Sequence, residues 1–314
     1  MVLLTLFSVE SYFDFKYRSI HSSTAAQLAR EQGRPFQELL QHYTLERFLY
    51  RLGQSPYVDL FVLKGALMFR VWEGPLSRPT RDVDLLGRLN HSVENLIAVV
   101  REICAQEVPQ DDGLVFHEDS VEGEAIVEAA QYSGVRVRLL VTLGRARIPL
   151  HADVGFGDTV IPGPVSIHLP TLLDFPPPVL QGYSRESAIA EKLQAMVYLG
   201  EINSRMKDFY DIWLLASRFA FDGATLAEAI QATFERRSTT LPAVPLALSE
   251  AFAVRHEKQT QWRAFVHRQF PDGAAPSFEE IVAEIRGFLL PVIGALVDGE
   301  VFGGRWASGG PWEG

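Results

Sequence analysis

Residues 61 to 87 read FVLKGALMFRVWEGPLSRPTRDVDLLG, and the rest of the chain is organised around this stretch. The apolar run Leu60-Phe61-Val62-Leu63 is short and β-prone, which predicts a buried strand. Lys64-Gly65 interrupts the run, Ala66 to Trp72 reads as a short helix, and Gly74-Pro75 closes it. From Arg78 to Leu86 the chain is expected to run extended. Successive side chains of a strand alternate faces, so Arg78, Thr80, Asp82 and Asp84 should share one face while Val83 and Leu85 enter a core.

Two carboxylates at i and i+2 on a strand repel one another, and folding does not require them. A divalent cation is the usual reason to keep them together: Mg²⁺ takes one or two carboxylates and fills its other positions with water and substrate phosphates. An isolated Asp-x-Asp is ordinarily a solvated strand end. Here it follows a glycine turn and a short helix, and such a turn lets phosphate approach backbone N–H groups at a helix N-terminus. Lys64, Gly65 and Ala66 are therefore the candidate phosphate cradle, and Asp82 and Asp84 the candidate metal ligands.

The order of apolar strand, Gly-small, spacer and apolar-Asp-apolar-Asp-apolar resembles the polymerase-β-type nucleotidyltransferase superfamily. The wider context, ERFLYRL, FVLKGALMFRVW and RPTRDVDLLG, is similar more narrowly to the AbiEii/AbiGii-type toxin nucleotidyltransferases of bacterial toxin–antitoxin pairs. The resemblance runs from about residue 25 to about residue 290. Gly65-Ala66 departs from the Gly-Gly or Gly-Ser common in the superfamily, so a hydroxyl contact to phosphate is absent at Ala66.

The resemblance implies a third carboxylate, matched by Asp153 in LHADVGFGD, which would share a second metal with Asp82 and Asp84 and accept the proton of the attacking hydroxyl. It also implies Lys192, in a Glu-Lys-Leu helix, as a charge on the triphosphate, with Asp211 of a Lys-Asp-x-x-Asp helix orienting that lysine or the base. Without the resemblance, Lys192 and Asp211 would read as a helix-surface ion pair. Arg78 and Thr80 would border the nucleotide's phosphates, and His151 reads as a satisfied histidine beside the site rather than a ligand.

Composition bounds the setting. Apolar residues make up 47% and charged residues 22%, which excludes wholesale disorder. One cysteine, Cys104, permits no internal disulfide; its amphipathic setting predicts a packed thiol in a reducing cytosol. No window carries the apolar run of a membrane span, and the N-terminus lacks a signal peptide's basic start and cleavage site, so the expected location is cytoplasmic. A formal net charge of −10 argues against indiscriminate nucleic-acid affinity and leaves room for a local basic surface.

The expected fold class is α+β: residues 1–22 as a variable arm, 23–160 as a mixed sheet with flanking helices, 161–305 as a helical lobe, and 306–314 as a flexible tail. A cleft between the two parts would hold nucleotide and acceptor. Glu46 and Arg47 are expected to pack or face solvent, Asp158 to sit in a turn, and Arg236, Arg237, Lys258, Arg263 and Arg268 to be solvated or to touch RNA. By resemblance, the chain is a Mg²⁺-dependent (or Mn²⁺-dependent) enzyme. It would move a nucleotide from NTP to the 3′ end of tRNA, act as a monomer, and be held in check by an antitoxin from an adjacent gene. The competing readings are a same-fold enzyme acting on a protein hydroxyl or small molecule, and an inactive binding module.

Overall fold

The structure, a computed structural model, describes residues 35–74, 80–128, 132–270 and 275–314. By its contacts the chain divides into two units, residues 1–157 with 165–182 and residues 158–164 with 183–314. The first unit carries the expected mixed sheet flanked by helices. Its strands are β1 (Phe61–Lys64), β2 (Asp82–Gly87), β3 (Leu114–Phe116), β4 (Glu122–Glu128), β5 (Tyr132–Leu143), β6 (Ala146–Phe156), β7 (Val165–His168) and β8 (Val179–Gly182). The order is β3-β5-β6-β2-β1-β8-β7, with β4 also on β5. Two pairings are parallel, β2 on β6 and β1 on β8; β1 on β2 and β5 on β6 are antiparallel.

Three departures from the sequence reading have physical causes. The strand bearing Asp82 starts at Asp82 rather than Arg78. Thr80 instead turns its hydroxyl back on the backbone, donating to the Asp82 carbonyl at 3.2 Å, so alternation does not extend to it. Residues 165–182, expected within the helical lobe, supply β7 and β8, because the edge of β1 needs a partner. Arg78 and the arm expected over residues 1–22 lie outside the described residues.

The second unit is helical: α4 (Arg185–Leu199), α5 (Met206–Arg218), α6 (Gly223–Arg236), α7 (Glu250–Ala253), α8 (His256–Gln269) and α9 (Phe278–Asp298). Ser277 and Glu280 close a reciprocal capping box at the start of α9, satisfying backbone donors that a helix leaves open. The terminal residues read as a flexible tail form two strands, Arg305–Trp306 and Trp312–Glu313, on Phe221–Asp222. They are ordered by burial of aromatics. Trp306 and Trp312 pack on Phe288, and their indole N–H groups donate to the Ala216 and Phe288 carbonyls at 2.8 Å each.

The remaining helices of the first unit are α1 (Phe36–Gln54), α2 (Ala66–Glu73) and α3 (Val93–Cys104). Cys104 is buried, and burial pushes its thiol up to about 12, as a packed thiol requires. Helix α1 is buried along nearly its whole length, from Leu39 to Leu52, including Glu46, Arg47 and Arg51. Its surface-exposed alternative therefore fails, and its charges must be matched inside. Asp112 does most of this. It accepts from Arg51 at 2.6 and 3.1 Å and from Arg47 at 3.2 Å, while Tyr43 donates to its carbonyl at 2.8 Å. Both guanidiniums also lie over aromatic faces, Arg47 on Tyr50 and Phe175 and Arg51 on Phe116. At the other end, Gln41 donates to the Arg81 and Pro149 carbonyls at 3.3 and 3.0 Å, tying the entries of β2 and β6 to one helix.

Glu46 is the costly member of this layer. It has no solvent exposure and accepts from the Leu172 N–H at 2.7 Å, with Arg47 3.7 Å from its other oxygen. Burial pushes its carboxyl up to about 7, with the Leu172 N–H and Arg47 only partly opposing this. A raised folded pKa means the native state holds the proton longer than the unfolded chain does. Its contribution is therefore fully present below about pH 4.5 and is lost as pH rises through about 7. Glu46→Gln keeps the acceptor for Leu172 and removes the titration. Chemical denaturation across pH 4.5 to 7 should show the wild type losing roughly 3 kcal/mol more than the variant; parallel profiles would show that Glu46 does not titrate in this range.

Candidate active site

The register of three strand pairs sets out the site. Lys64 stands opposite Asp84, Asp84 beside Asp153, and Asp153 opposite Arg136, so four charged residues cross β1, β2, β6 and β5 in one row. One alternation along, Asp82, His151 and Arg138 form a second row. All of these lie on the face opposite buried Val83, Leu85, Ala152, Val154, Val135 and Val137. The period of two read from Asp-x-Asp and His-x-Asp is thus what the sheet uses.

Gly65 is where the turn and the strand meet. It caps α2 with φ +70, in the left-handed half of the map that favours glycine. A Cβ there would lie 2.0 Å from an Asp84 carboxylate oxygen and 2.8 Å from the Asp84 Cβ. The Asp84 side chain thus occupies the space of the missing one, and sequence reasoning had assigned this glycine to phosphate approach alone. Ala66, next in the chain, is buried at the start of α2.

The two outer carboxylates have defined partners. Asp82 lies 3.3 Å from His151 Nδ1, with its side chain 43% exposed. Asp153 accepts from Arg136 Nε at 2.7 Å and from a terminal nitrogen at 2.6 Å, so each of its oxygens is engaged. This hydrogen-bonded pair, against the opposing pull of desolvation, holds Arg136 more firmly charged than a free arginine. Arg136 was not singled out in the sequence. Its role depends on which residue β6 sets opposite it, and no local pattern encodes that.

Among the described residues, no three His, Cys, Asp or Glu side chains converge on one point as a ready cation site. The donor set nevertheless suits a hard divalent ion at Asp82 and Asp84: two carboxylates on one open strand face, one of them well exposed. Asp153, expected as a further ligand, has its oxygens on Arg136 instead.

In the second unit, Lys192 on α4 meets α5. Its ammonium donates to Asp208 at 2.9 Å and to Asp211 at 2.7 Å, with both carboxylates fully buried. Arg205 approaches the far oxygen of Asp208 at 2.6 Å as an ion pair not aligned for a hydrogen bond. Burial pulls the Asp208 carboxyl upward, yet Lys192 and Arg205 together outweigh it and hold it below its usual range. Lys192 and Asp211 are thus together, as the motif implied, and Asp208 joins them. Its i, i+3 spacing from Asp211 already put both on one helix face.

Two of the basic residues weighed for RNA contact, Lys258 and Arg237, are committed to partners within the unit. Lys258 is wholly buried and donates to the Glu201 and Asn203 carbonyls at 2.8 and 2.9 Å, clamping the turn between α4 and α5. Arg237 donates to Gln194 at 2.9 Å and pairs with Asp158 at 3.2 Å, so Asp158, expected in a turn, is an ion-pair partner just past the bend at Gly157. Glu191, beside Lys192, is held by the Tyr183 hydroxyl at 2.7 Å and lies 3.5 Å from Arg237.

Comparison with known proteins adds a family match. The family model described as nucleotidyl transferase AbiEii toxin, type IV toxin–antitoxin system, matches residues 47–284. No curated protein matches the chain. Among solved structures, a candidate nucleotidyltransferase from H. pylori is similar at 17% identity and a TM-score of 0.47, covering 83% of this chain and 96% of its own. JHP933 from Helicobacter pylori is similar at 16% identity and a TM-score of 0.45, with 83% and 94% covered.

The Gly65–Asp84 contact yields a direct test. Gly65→Ala should destabilise the protein by about 1–3 kcal/mol, through strain at positive φ and displacement of the carboxylate. In an Asp84→Gly background, which removes the Cβ at 2.8 Å as well as the carboxylate, much of the steric part should vanish, leaving a coupling of about 0.5–3 kcal/mol in a double-mutant cycle read by denaturant midpoints. Simple additivity would show that the two positions do not contend for one space.

Proposed function

Because the chain belongs to the AbiEii nucleotidyl transferase toxin family, we propose that it is the toxin of a bacterial pair that transfers a nucleotide from NTP to the 3′ end of tRNA with Mg²⁺. In this reading it works as a cytoplasmic monomer, and an antitoxin encoded by the adjacent gene restrains it. The observation that carries the placement of the chemistry is the contact between the two halves of the motif. Asp84 lies over Gly65, so the carboxylate strand and the glycine turn are one structural unit.

Transfer of this kind asks little covalent chemistry of a protein and much positioning and charge neutralisation. The acceptor hydroxyl oxygen bonds to the α-phosphorus as its proton passes to solvent water, the bond from the α-phosphorus to the α,β-bridging oxygen breaks, and pyrophosphate leaves with that oxygen. Asp82 and Asp84 are the residues that would hold a divalent ion; when bound, that ion would offset the triphosphate's charge. Lys64, Gly65 and Ala66 are assigned to the phosphates, with Arg78 and Thr80 as further contacts. The Thr80 hydroxyl is already engaged with Asp82's backbone, which makes it a brace for the first carboxylate as much as a phosphate donor. Lys192 and Asp211 are assigned to the same reaction on their match to the motif. Lys192's charge is shared between two buried carboxylates, so its ammonium is fixed in place rather than swinging freely.

The test is incubation with each labelled nucleotide in turn, total tRNA and Mg²⁺, with label followed on RNA, protein and small molecules. Label should appear on tRNA. Asp82→Asn should lower transfer by about 100-fold or more, EDTA should do the same, and Lys192→Ala should cost about 10-fold or more. Lys192→Arg should not restore the rate, since a planar fork does not replace a compact ammonium between Asp208 and Asp211. Label on protein or a small molecule would move the acceptor. Undiminished transfer by Asp82→Asn would remove the carboxylate pair from the site.

A further inference from the structure

The row Lys64–Asp84–Asp153–Arg136 sets two carboxylates between two cations across four strands, and its outer end is a fixed cation. We propose that Arg136 takes the place of a second divalent ion: it occupies Asp153, so that the site binds one ion through Asp82 and Asp84, and Asp153 serves to position Arg136 rather than to ligate metal. This rests on the reading of Asp82 and Asp84 as the ion's ligands.

The geometry commits Asp153 to Arg136. The guanidinium meets the carboxylate side-on, with its Nε and one terminal nitrogen at 2.7 and 2.6 Å from separate oxygens. Such a fork is among the stronger polar contacts a protein makes, and arginine does not lose its proton at working pH. The pairing is also rigid at its base. Arg136 and Asp153 stand directly opposite in a ladder that runs unbroken from Gly134–Gly155 to Leu143–Ala146.

Glu124, the residue opposite Arg136 on β4, is engaged by Arg138 instead. The charges that act on Arg136 beside Asp153 are those of Asp82 and Glu124, so its positive field extends toward the first ligand as well. A second divalent ion at Asp153 would meet this charge at close range and would have to share both carboxylate oxygens with the guanidinium. Only two of arginine's five N–H donors are used on Asp153, and the side chain is 35% exposed. The remainder suit an anion such as the pyrophosphate end of a nucleotide, where a planar fork performs the neutralisation a metal would otherwise supply.

The experiment counts ions. Full-length protein is loaded with Mn²⁺ and a non-hydrolysable NTP analogue. Bound Mn²⁺ is measured per protein by equilibrium dialysis, and spin coupling between ions by electron paramagnetic resonance. Wild type should hold one ion with no coupling. Asp153→Asn should keep that ion with affinity within about threefold, well short of the 10- to 100-fold loss seen when even a ligand's supporting partner is removed. Arg136→Met, checked for folding by thermal melting, should gain a second, coupled ion, whereas Arg136→Lys should remain at one. A coupled pair in the wild type, reduced to a single ion by Asp153→Asn, would overturn the proposal while leaving Asp82 and Asp84 as ligands. A single ion persisting in folded Arg136→Met would also overturn it, since Arg136 would not be what excludes the second. No bound ion in the wild type would instead sink the carboxylate-pair reading itself, and this one with it.

Discussion

The parallel, in-register pairing of Asp82–Gly87 with His151–Phe156 is the constraint on which the first unit depends. A parallel ladder fixes which side chains stand abreast without a hairpin to set the register, so it must be specified by burial on one face. Val83 and Leu85 abut Ala152 and Val154 there, all almost free of solvent. A one-residue slip would send these apolar groups to the open side and turn Asp82, Asp84, His151 and Asp153 into the core. The cost of that error protects the polar row. Gln41 adds a second lock by bonding the entries of both strands from one helix.

Both units meet the cost of interior charge by compensation. Under the sheet, Asp112 serves Arg47 and Arg51 at once, and Glu46 is left the member whose ionisation is least supported. In the helical unit, Lys192 and Arg205 face Asp208 and Asp211, two charges of each sign. Removing one partner from such a set leaves an uncompensated charge, which is why buried pairs are costly to break even where they add little net stability. Lys258 handles the problem differently, offering its ammonium to two backbone carbonyls at a helix junction, with the Glu257 carboxylate farther off at 3.4 Å.

What the sequence disclosed follows the range of the interaction. Period-two alternation is local, so the shared face of Asp82 and Asp84, and that of His151 and Asp153, could be read from the residues alone. The i, i+3 spacing that brought Asp208 alongside Asp211 was legible for the same reason, as was the glycine turn before α2. Arg136 was missed because its meaning comes from the strand that pairs with it, and Asp112 because a turn residue gives no sign of two arginines sixty residues away. Thr80 was misplaced because a hydroxyl can satisfy the backbone ahead of it and stop a strand early. The proline-marked segment 165–182 concealed two strands, since an edge of β1 recruits its neighbour by tertiary contact rather than by local propensity.

The Asp84 carboxylate resting in the space where residue 65 would carry a Cβ has a consequence for how such chains can diverge. So long as Asp84 is present, position 65 is closed to every side chain, and drift there is blocked by shape before chemistry is selected at all. Loss of the Asp84 carboxylate would remove the closest contact, at 2.0 Å, leaving the Cβ of residue 84 at 2.8 Å and the backbone's own preference for glycine. Among descendants of this chain, a larger residue at 65 would therefore mark lineages in which the carboxylate had already been given up. One glycine would then serve as a sequence-level record of whether the acidic strand is still in use.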